Sequence, residues 1–180
     1  YDFVGDSVCL ERPENNHDFY QCAVAFGRFQ KYLSEFPAET LHETIPDFHN
    51  TPKRFDNLEA AINNNLAGRA DTVKDDIDFA MARRAEAGRL LDLHAQGRIP
   101  LRVTHNDTKL NNILFDNITN KGICIIDLDT VMPGSYLYDF GDAIRFGATF
   151  RTSIDESKRY NGDYGIRLGL RFLVNGQYEV

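Results

Sequence analysis

The stretch RVTHNDTKLNNILFD, residues 102–116, constrains this chain more than any other. Two short β-prone runs, LRVT and NILF, enclose a cluster of His, Asn, Asp, Lys and two further Asn. Polar groups set between strands cost stability unless hydrogen bonds or chemistry use them. The segment is therefore expected to be a loop with a task, and the fold has to present it. The residues before it have a helical pattern and those after it the pattern of a hairpin, so an α+β domain is predicted.

The helical block spans residues 18–96. From Asp18 onward, Phe19, Cys22, Ala23, Phe26, Phe29 and Leu33 recur at spacings of three and four, and Pro37 ends that helix. Phe55, Leu58, Ile62 and Leu66 define a second helix. A third is predicted from about Asp75 to Gln96, with Ile77, Met81, Ala85 and Leu91 on its stripe and Gly97 as its stop. Residues 101–131 then form the strand, loop and hairpin, with NITNKG as the turn and ICIID as a buried strand. Residues 1–9 read as a short extended segment, and Tyr138–Arg145 as a helix. The segment 151–180, including IRLGLRFLV, fits helix and strand equally.

Composition narrows the class. With 42% hydrophobic residues the chain is able to bury a core, and a net charge of −7 argues against nucleic acid as a partner. No run reaches the length of a membrane span. Cys9, Cys22 and Cys124 form no CxxC pair, which favours a reducing, cytoplasmic setting. An opening Tyr1 in place of Met leads us to expect a fragment.

The polar cluster has a specific spacing. His105-Asn106-Asp107, followed after four residues by Asn112, matches the kinase catalytic loop H-R-D-x-x-x-x-N with Asn in place of Arg. The chemistry explains the spacing. An acceptor hydroxyl must be oriented while a cation grips the phosphates nearby, so a carboxylate and an amide oxygen project from one short loop. Asp127 ends an apolar run twenty residues after Asp107, where a hairpin returns it toward Asn112. If the chain stays extended, Asp129 points the same way and is a candidate for a second metal.

Together HNDTKLNNILFD, IDLDTVMPGS and LYDFGDAIR resemble the aminoglycoside phosphotransferase and choline kinase superfamily. Within it the wording THNDTKLNN and DLDTVMPG is most similar to the N-acetylhexosamine 1-kinases. FGRFQKYLSEFP and LHETIPDFHNTPKRF extend the likeness over roughly residues 1–148. The resemblance implies the mainly helical C-terminal lobe of a protein-kinase-like fold, carrying a small β-hairpin. It also implies ATP and Mg2+ as cofactors, and phosphoryl transfer to the anomeric hydroxyl of N-acetylglucosamine or N-acetylgalactosamine.

Carried over by position, Asp107 is the catalytic base, Asn112 and Asp127 are the magnesium ligands, and Lys109 touches the moving phosphate. Asp139 braces the loop from a helix, and His105 orients it through backbone hydrogen bonds. The opening YDFV resembles the hinge strand that meets adenine, which makes Tyr1 and Phe3 cofactor-binding candidates. His49 and Arg54 are candidate sugar contacts. The chain departs from the pattern in having no GxGxxG, since Gly162, Gly165 and Gly169 are wrongly spaced and lie after the loop. The N-terminal nucleotide lobe is thus expected to be missing and the piece by itself inactive. The stretch after Phe150 also looks unlike the family's closing helices.

Rival readings explain less. A choline or aminoglycoside acceptor is the alternative within kinases. IIDLDTV also resembles the first motif of haloacid dehalogenase phosphatases, with Asp127 as nucleophile and Asp129 as acid and base. Only fifty-three residues come after Asp127, too few for that layout, and HNDTKLNN is left without a role. A glycosyltransferase D-x-D clamp rests on two carboxylates alone, and no Cys or Ser has the C/S-x-P-x-R context of a sulfatase. A structural calcium site and a non-catalytic binding fragment complete the set.

Overall fold

Asn15 starts the first helix because its side chain accepts the N–H groups of His17 (2.8 Å) and Asp18 (3.3 Å). Asp18 answers by accepting the backbone N–H of Asn15 (3.2 Å) and of Glu14 (2.8 Å), a reciprocal capping box. The computed structural model describes residues 2–152. In chain order its elements are β1 (Ser7–Cys9), α1 (Asn16–Tyr32), α2 (Thr51–Asn64), α3 (Lys74–Met81), α4 (Arg89–Ala95), β2 (Arg102–Thr104), β3 (Ile113–Asp116), β4 (Gly122–Ile125), β5 (Met132–Gly134) and α5 (Tyr136–Thr152). Short 3-10 turns join several of them. Among the described residues no helix is long and apolar enough to cross a membrane.

The chain divides into two compact units, one holding the residues up to Thr44 and from Leu101 onward, the other Ile45–Pro100. In the first unit β1, β3 and β4 form an antiparallel sheet with β3 at its centre. Val8 faces Phe115, and Ile113 faces Ile125. Strands β2 and β5 form a separate ribbon in which Thr104 faces Met132. The core lies where α1 meets the sheet and α5, built from Cys22, Ala23, Phe26, Leu110, Ile113, Phe115 and Ala143. Its α1 members fall at helical spacing and its β3 members alternate, so both periodicities point at one interior.

Burial drives the Cys22 thiol far above its ordinary pKa, with Asp142 adding to the shift, so Cys22 acts as a core hydrophobe. Between β3 and β4, Asp116 accepts the N–H (2.6 Å) and hydroxyl (2.7 Å) of Thr119 and the N–H of Ile118 (3.2 Å). Those bonds, led by the Thr119 hydroxyl, hold the Asp116 carboxyl below the usual range. Asn120, at φ 53, completes the turn and donates its amide to Asp18 (3.2 Å).

The second unit contains α2, α3 and α4, and none of their residues is fully buried. Here the expected single helix over residues 75–96 is corrected to α3, a 3-10 turn (Arg84–Glu86) and α4. The apolar spacing lapses between Ala85 and Leu91, and Gly88 sits in the gap, where a helix interior is disfavoured. Gly97, at φ 69, provides the left-handed stop. Leu66 lies beyond the end of α2 and is almost fully exposed, because Asn65 has already turned left-handed. His94 serves the fold, its Nδ1 lying 2.9 Å from the Ile99 carbonyl.

The sequence pattern placed the helices of residues 18–96 in one block, but α1 belongs with the two sheets. It also suggested one hairpin; β3–β4 is that hairpin, and the β1–β3 and β2–β5 pairings are additional. The stretch 153–180, with IRLGLRFLV, lies outside the described residues.

Asp18 caps α1 and anchors the β3–β4 turn from a buried position. Asp18→Ala should therefore destabilise the protein by about 2–3 kcal/mol, seen as a lower urea midpoint with an unchanged m-value.

Candidate active site

The polar cluster leaves β2 at Thr104 and enters β3 at Ile113, and these strands belong to different sheets. The loop is thus the joint between a ribbon and a sheet, and its own backbone groups have to find partners elsewhere. Asp139 on α5 supplies two of them. It accepts the His105 N–H on Oδ2 (3.1 Å) and the Asn106 N–H on Oδ1 (2.7 Å). The Gln30 side chain also donates to Oδ2 (2.5 Å), and the Thr108 hydroxyl donates to the Asp139 carbonyl (2.6 Å). Burial pushes the Asp139 pKa up, and the donors from Asn106, His105 and Gln30 pull against it.

His105 is fully buried, with the rings of Phe26 and Phe29 edge-on at 5.2 and 5.9 Å. The Asp107 N–H donates to its Nδ1 (3.3 Å), and Nε2 stands 3.0 Å from the Ile126 carbonyl. A carbonyl only accepts, so these contacts need the tautomer with its proton on Nε2. The histidine is committed to holding the loop.

Asp107 is half-buried and its two carboxylate oxygens differ. Oδ2 accepts both the Lys109 ammonium (2.8 Å) and the Asn112 amide (3.0 Å), and that same amide donates to the Asp107 carbonyl (2.7 Å). Among the described residues Oδ1 has no such donor. Asp107, Lys109 and Asn112 are therefore in direct contact. Asp127 adjoins them along the backbone, because the Ile126 N–H donates to the Asn112 carbonyl (2.9 Å). It is exposed and left-handed (φ 61, ψ 56), a conformation that costs a non-glycine residue energy and concentrates at functional sites.

The basis for adding Asp129 is corrected. The chain does not stay extended past Asp127 but enters a 3-10 turn, Leu128–Thr130, so the alternation argument does not apply. Asp129 engages Thr44 through its carbonyl, which accepts that hydroxyl at 3.0 Å. Phe3 is 96% exposed, and Tyr1 lies outside the described residues. His49 and Arg54 belong to the second unit. There Arg54 donates to the Phe48 carbonyl (2.5 Å), and the His49 ring meets Phe48 edge-on.

Sequence patterns gave Asn106 no role and did not single out Thr130, Thr104 and Gly134, yet these four residues lie together beside the loop. Asn106 is buried at φ 68. Its Nδ2 donates to the carbonyls of Thr130 (2.9 Å) and Thr104 (3.4 Å), and the Thr104 hydroxyl lies 3.0 Å from Oδ1. The Thr130 hydroxyl returns a bond to the His105 carbonyl (2.7 Å). A Cβ on Gly134 would fall 2.4 Å from the Thr104 hydroxyl oxygen, so only glycine fits there. The available signal was weak: Asn tolerates left-handed backbone, and a Gly comes after Pro in the strand that pairs with β2.

The donor set suits magnesium. Asn112 has one amide group engaged with Asp107, leaving Oδ1 as a hard donor, and Asp127 carries an exposed carboxylate with no ion pair among the described residues. No three His, Cys, Asp or Glu side chains among the described residues form a cage. Magnesium is ordinarily held by one or two carboxylates together with substrate phosphates, and this donor set is of that kind.

A family model described as the phosphotransferase enzyme family matches residues 5–173. The match continues well past Phe150, which corrects the expectation that the likeness ends near residue 148 and that the closing segment departs from the family.

Two variants probe the scaffold. Asp139→Ala would leave the N–H groups of His105 and Asn106 buried without an acceptor, and should cost about 3 kcal/mol or more in a urea titration. Gly134→Ala should cost about 1–3 kcal/mol by the overpacking it forces.

Proposed function

Since the chain belongs to the phosphotransferase enzyme family, we propose that it is the catalytic part of a small-molecule kinase whose acceptor is an N-acetylhexosamine, phosphorylated at the anomeric 1-hydroxyl. Members of the family generally transfer phosphate from ATP with the help of Mg2+. The observation that carries the site reading is the inequality of the Asp107 oxygens. With Lys109 and Asn112 both on Oδ2, the carboxylate is held in one orientation and Oδ1 is left to accept a proton from the acceptor hydroxyl. Support for the amino sugar comes from the wording THNDTKLNN and DLDTVMPG, which is similar to the N-acetylhexosamine 1-kinases.

Each residue has a distinct role in this reading. Asp107 orients the acceptor and takes its proton. Lys109 has three N–H donors, one of them on Asp107, and the others suit a phosphate oxygen. Asn112 Oδ1 and the Asp127 carboxylate would hold Mg2+, and Asp129 is the candidate for a second ion. When bound, the cation would neutralise charge on the phosphate oxygens. Rate enhancement would then come from positioning and electrostatics, with no covalent intermediate on the protein. The described residues are read as the C-terminal lobe of a kinase-like fold, with the Tyr1–Phe3 segment as hinge to adenine. His49 and Arg54 remain the proposed sugar contacts.

In the full-length protein, Asp107→Ala and Asp127→Ala should each lower sugar-1-phosphate formation by about 10³-fold or more. Normal turnover by either variant would remove the assignment. An acceptor panel of N-acetylglucosamine, N-acetylgalactosamine, choline and an aminoglycoside, assayed with ATP, tests the substrate. Faster turnover of choline or the aminoglycoside would overturn the sugar reading while leaving the kinase intact. Nucleotide-independent hydrolysis of a simple phosphate ester would instead favour the phosphatase reading.

A further inference from the structure

The turn that carries Asp127 and Asp129 is gripped at both ends by the two residues immediately before Asp107. At its start, His105 Nε2 donates to the Ile126 carbonyl (3.0 Å). At its finish, Asn106 Nδ2 donates to the Thr130 carbonyl (2.9 Å), and the Thr130 hydroxyl donates to the His105 carbonyl (2.7 Å). Asn106 and Thr130 thus join the loop to the turn by reciprocal bonds that run in opposite directions. The orientation of the Asn106 amide is fixed by chemistry, because both neighbours of Nδ2 are carbonyls and demand a donor.

These bonds are not what satisfies the loop's N–H groups. Asp139 already accepts the N–H groups of His105 and Asn106. The Asn106–Thr130 pair works from the other side, through a carbonyl and a side chain. Within the turn, the Val131 N–H closes on the Leu128 carbonyl (3.1 Å), so a shift at Thr130 is passed to Asp127 through a tight and short segment. Asn106 combines two properties needed here, tolerance of φ 68 and an amide that bridges two carbonyls.

We propose that Asn106 and Thr130 are positioning residues: their reciprocal bonds set the placement of Asp107 relative to the Asp127–Asp129 turn, and thereby tune how well the site engages its cation during phosphoryl transfer. The inference rests on the kinase reading of Asp107 and Asp127.

The test uses the full-length protein with Thr130→Val, which keeps the β-branched shape and removes the hydroxyl, and Asn106→Gly, which keeps the left-handed backbone and removes the amide. Each should lower kcat by about 10- to 100-fold, the scale of a slight misplacement of reacting groups. Each should also raise the Mg2+ concentration for half-maximal activity, with the KM for the sugar changed by less than about threefold. Thr130→Ser should restore kcat to within about threefold of the natural protein. The double variant should be little worse than the poorer single one, as expected for two halves of one device.

A second readout is Mn2+ binding, measured by electron paramagnetic resonance with a non-hydrolysable ATP analogue, where both variants should weaken affinity by about tenfold. Unchanged kcat and Mn2+ affinity in both variants would overturn the inference, as would equal impairment of Thr130→Val and Thr130→Ser. Should Thr130→Val fail to fold, Asn106→Gly decides by the same two readouts. Asp107→Ala is run alongside. Its retained activity would overturn the underlying site reading, whereas its inactivity beside unaffected Asn106→Gly and Thr130→Val proteins would overturn this inference alone.

Discussion

A carboxylate withdrawn from water must be met by donors, and Asp139 is met by the backbone of the loop that carries Asp107. The need is mutual. The His105 and Asn106 N–H groups are buried as well, and no ladder is available to them because their strand, β2, has run out. A helix residue therefore takes the place of a neighbouring strand. Once Asp139 holds two successive N–H groups, the direction in which Asp107 leaves the loop is largely determined. Gln30 ties the same carboxylate to α1, so three elements agree on one arrangement.

From this anchor the chemistry emerges by subtraction. His105 is engaged through both ring nitrogens and Asn106 through its amide. What the loop still offers is one oxygen of Asp107, the ammonium of Lys109 and the amide oxygen of Asn112, with Asp127 one residue past the hairpin's last bond to Asn112. That remainder is acidic and oxygen-rich, with a single cation, and suits a phosphate-bound divalent metal better than a thiol or imidazole chemistry.

Much of this was legible in the residues alone, for identifiable reasons. Helix α1 announced itself through Phe19, Cys22, Ala23 and Phe26, and the β3–β4 hairpin through the turn NITNKG set between the short apolar runs NILF and ICIID. The five-residue spacing put Asp107 and Asn112 on one short loop, where the structure has them hydrogen-bonded, and a resemblance drew attention to Asp139. Other features had no local signature. The pairing of β2 with β5 links residues 102–104 to 132–134, and neither run alternates for long enough to declare a partner. The course of the chain after Asp127 was misjudged because left-handed backbone at an aspartate is a tertiary outcome. The interruption of the helix near Gly88 was written in a lapse of apolar spacing and was passed over.

The bonds that shape the 105–112 loop reach far along the sequence. His105 reaches Ile126 and Asp139, and Asp139 reaches back to Gln30, 109 positions away. The β3–β4 hairpin, by contrast, closes within a few residues and is able to form early. During synthesis the hairpin emerges with its local partners, while α1 and the loop that carries Asp107 wait for α5 to supply Asp139 and Ala143. The placement of the 105–107 backbone is thus completed late, and a nascent chain that stops short of Asp139 has most of its secondary structure but no acceptor for the His105 and Asn106 N–H groups.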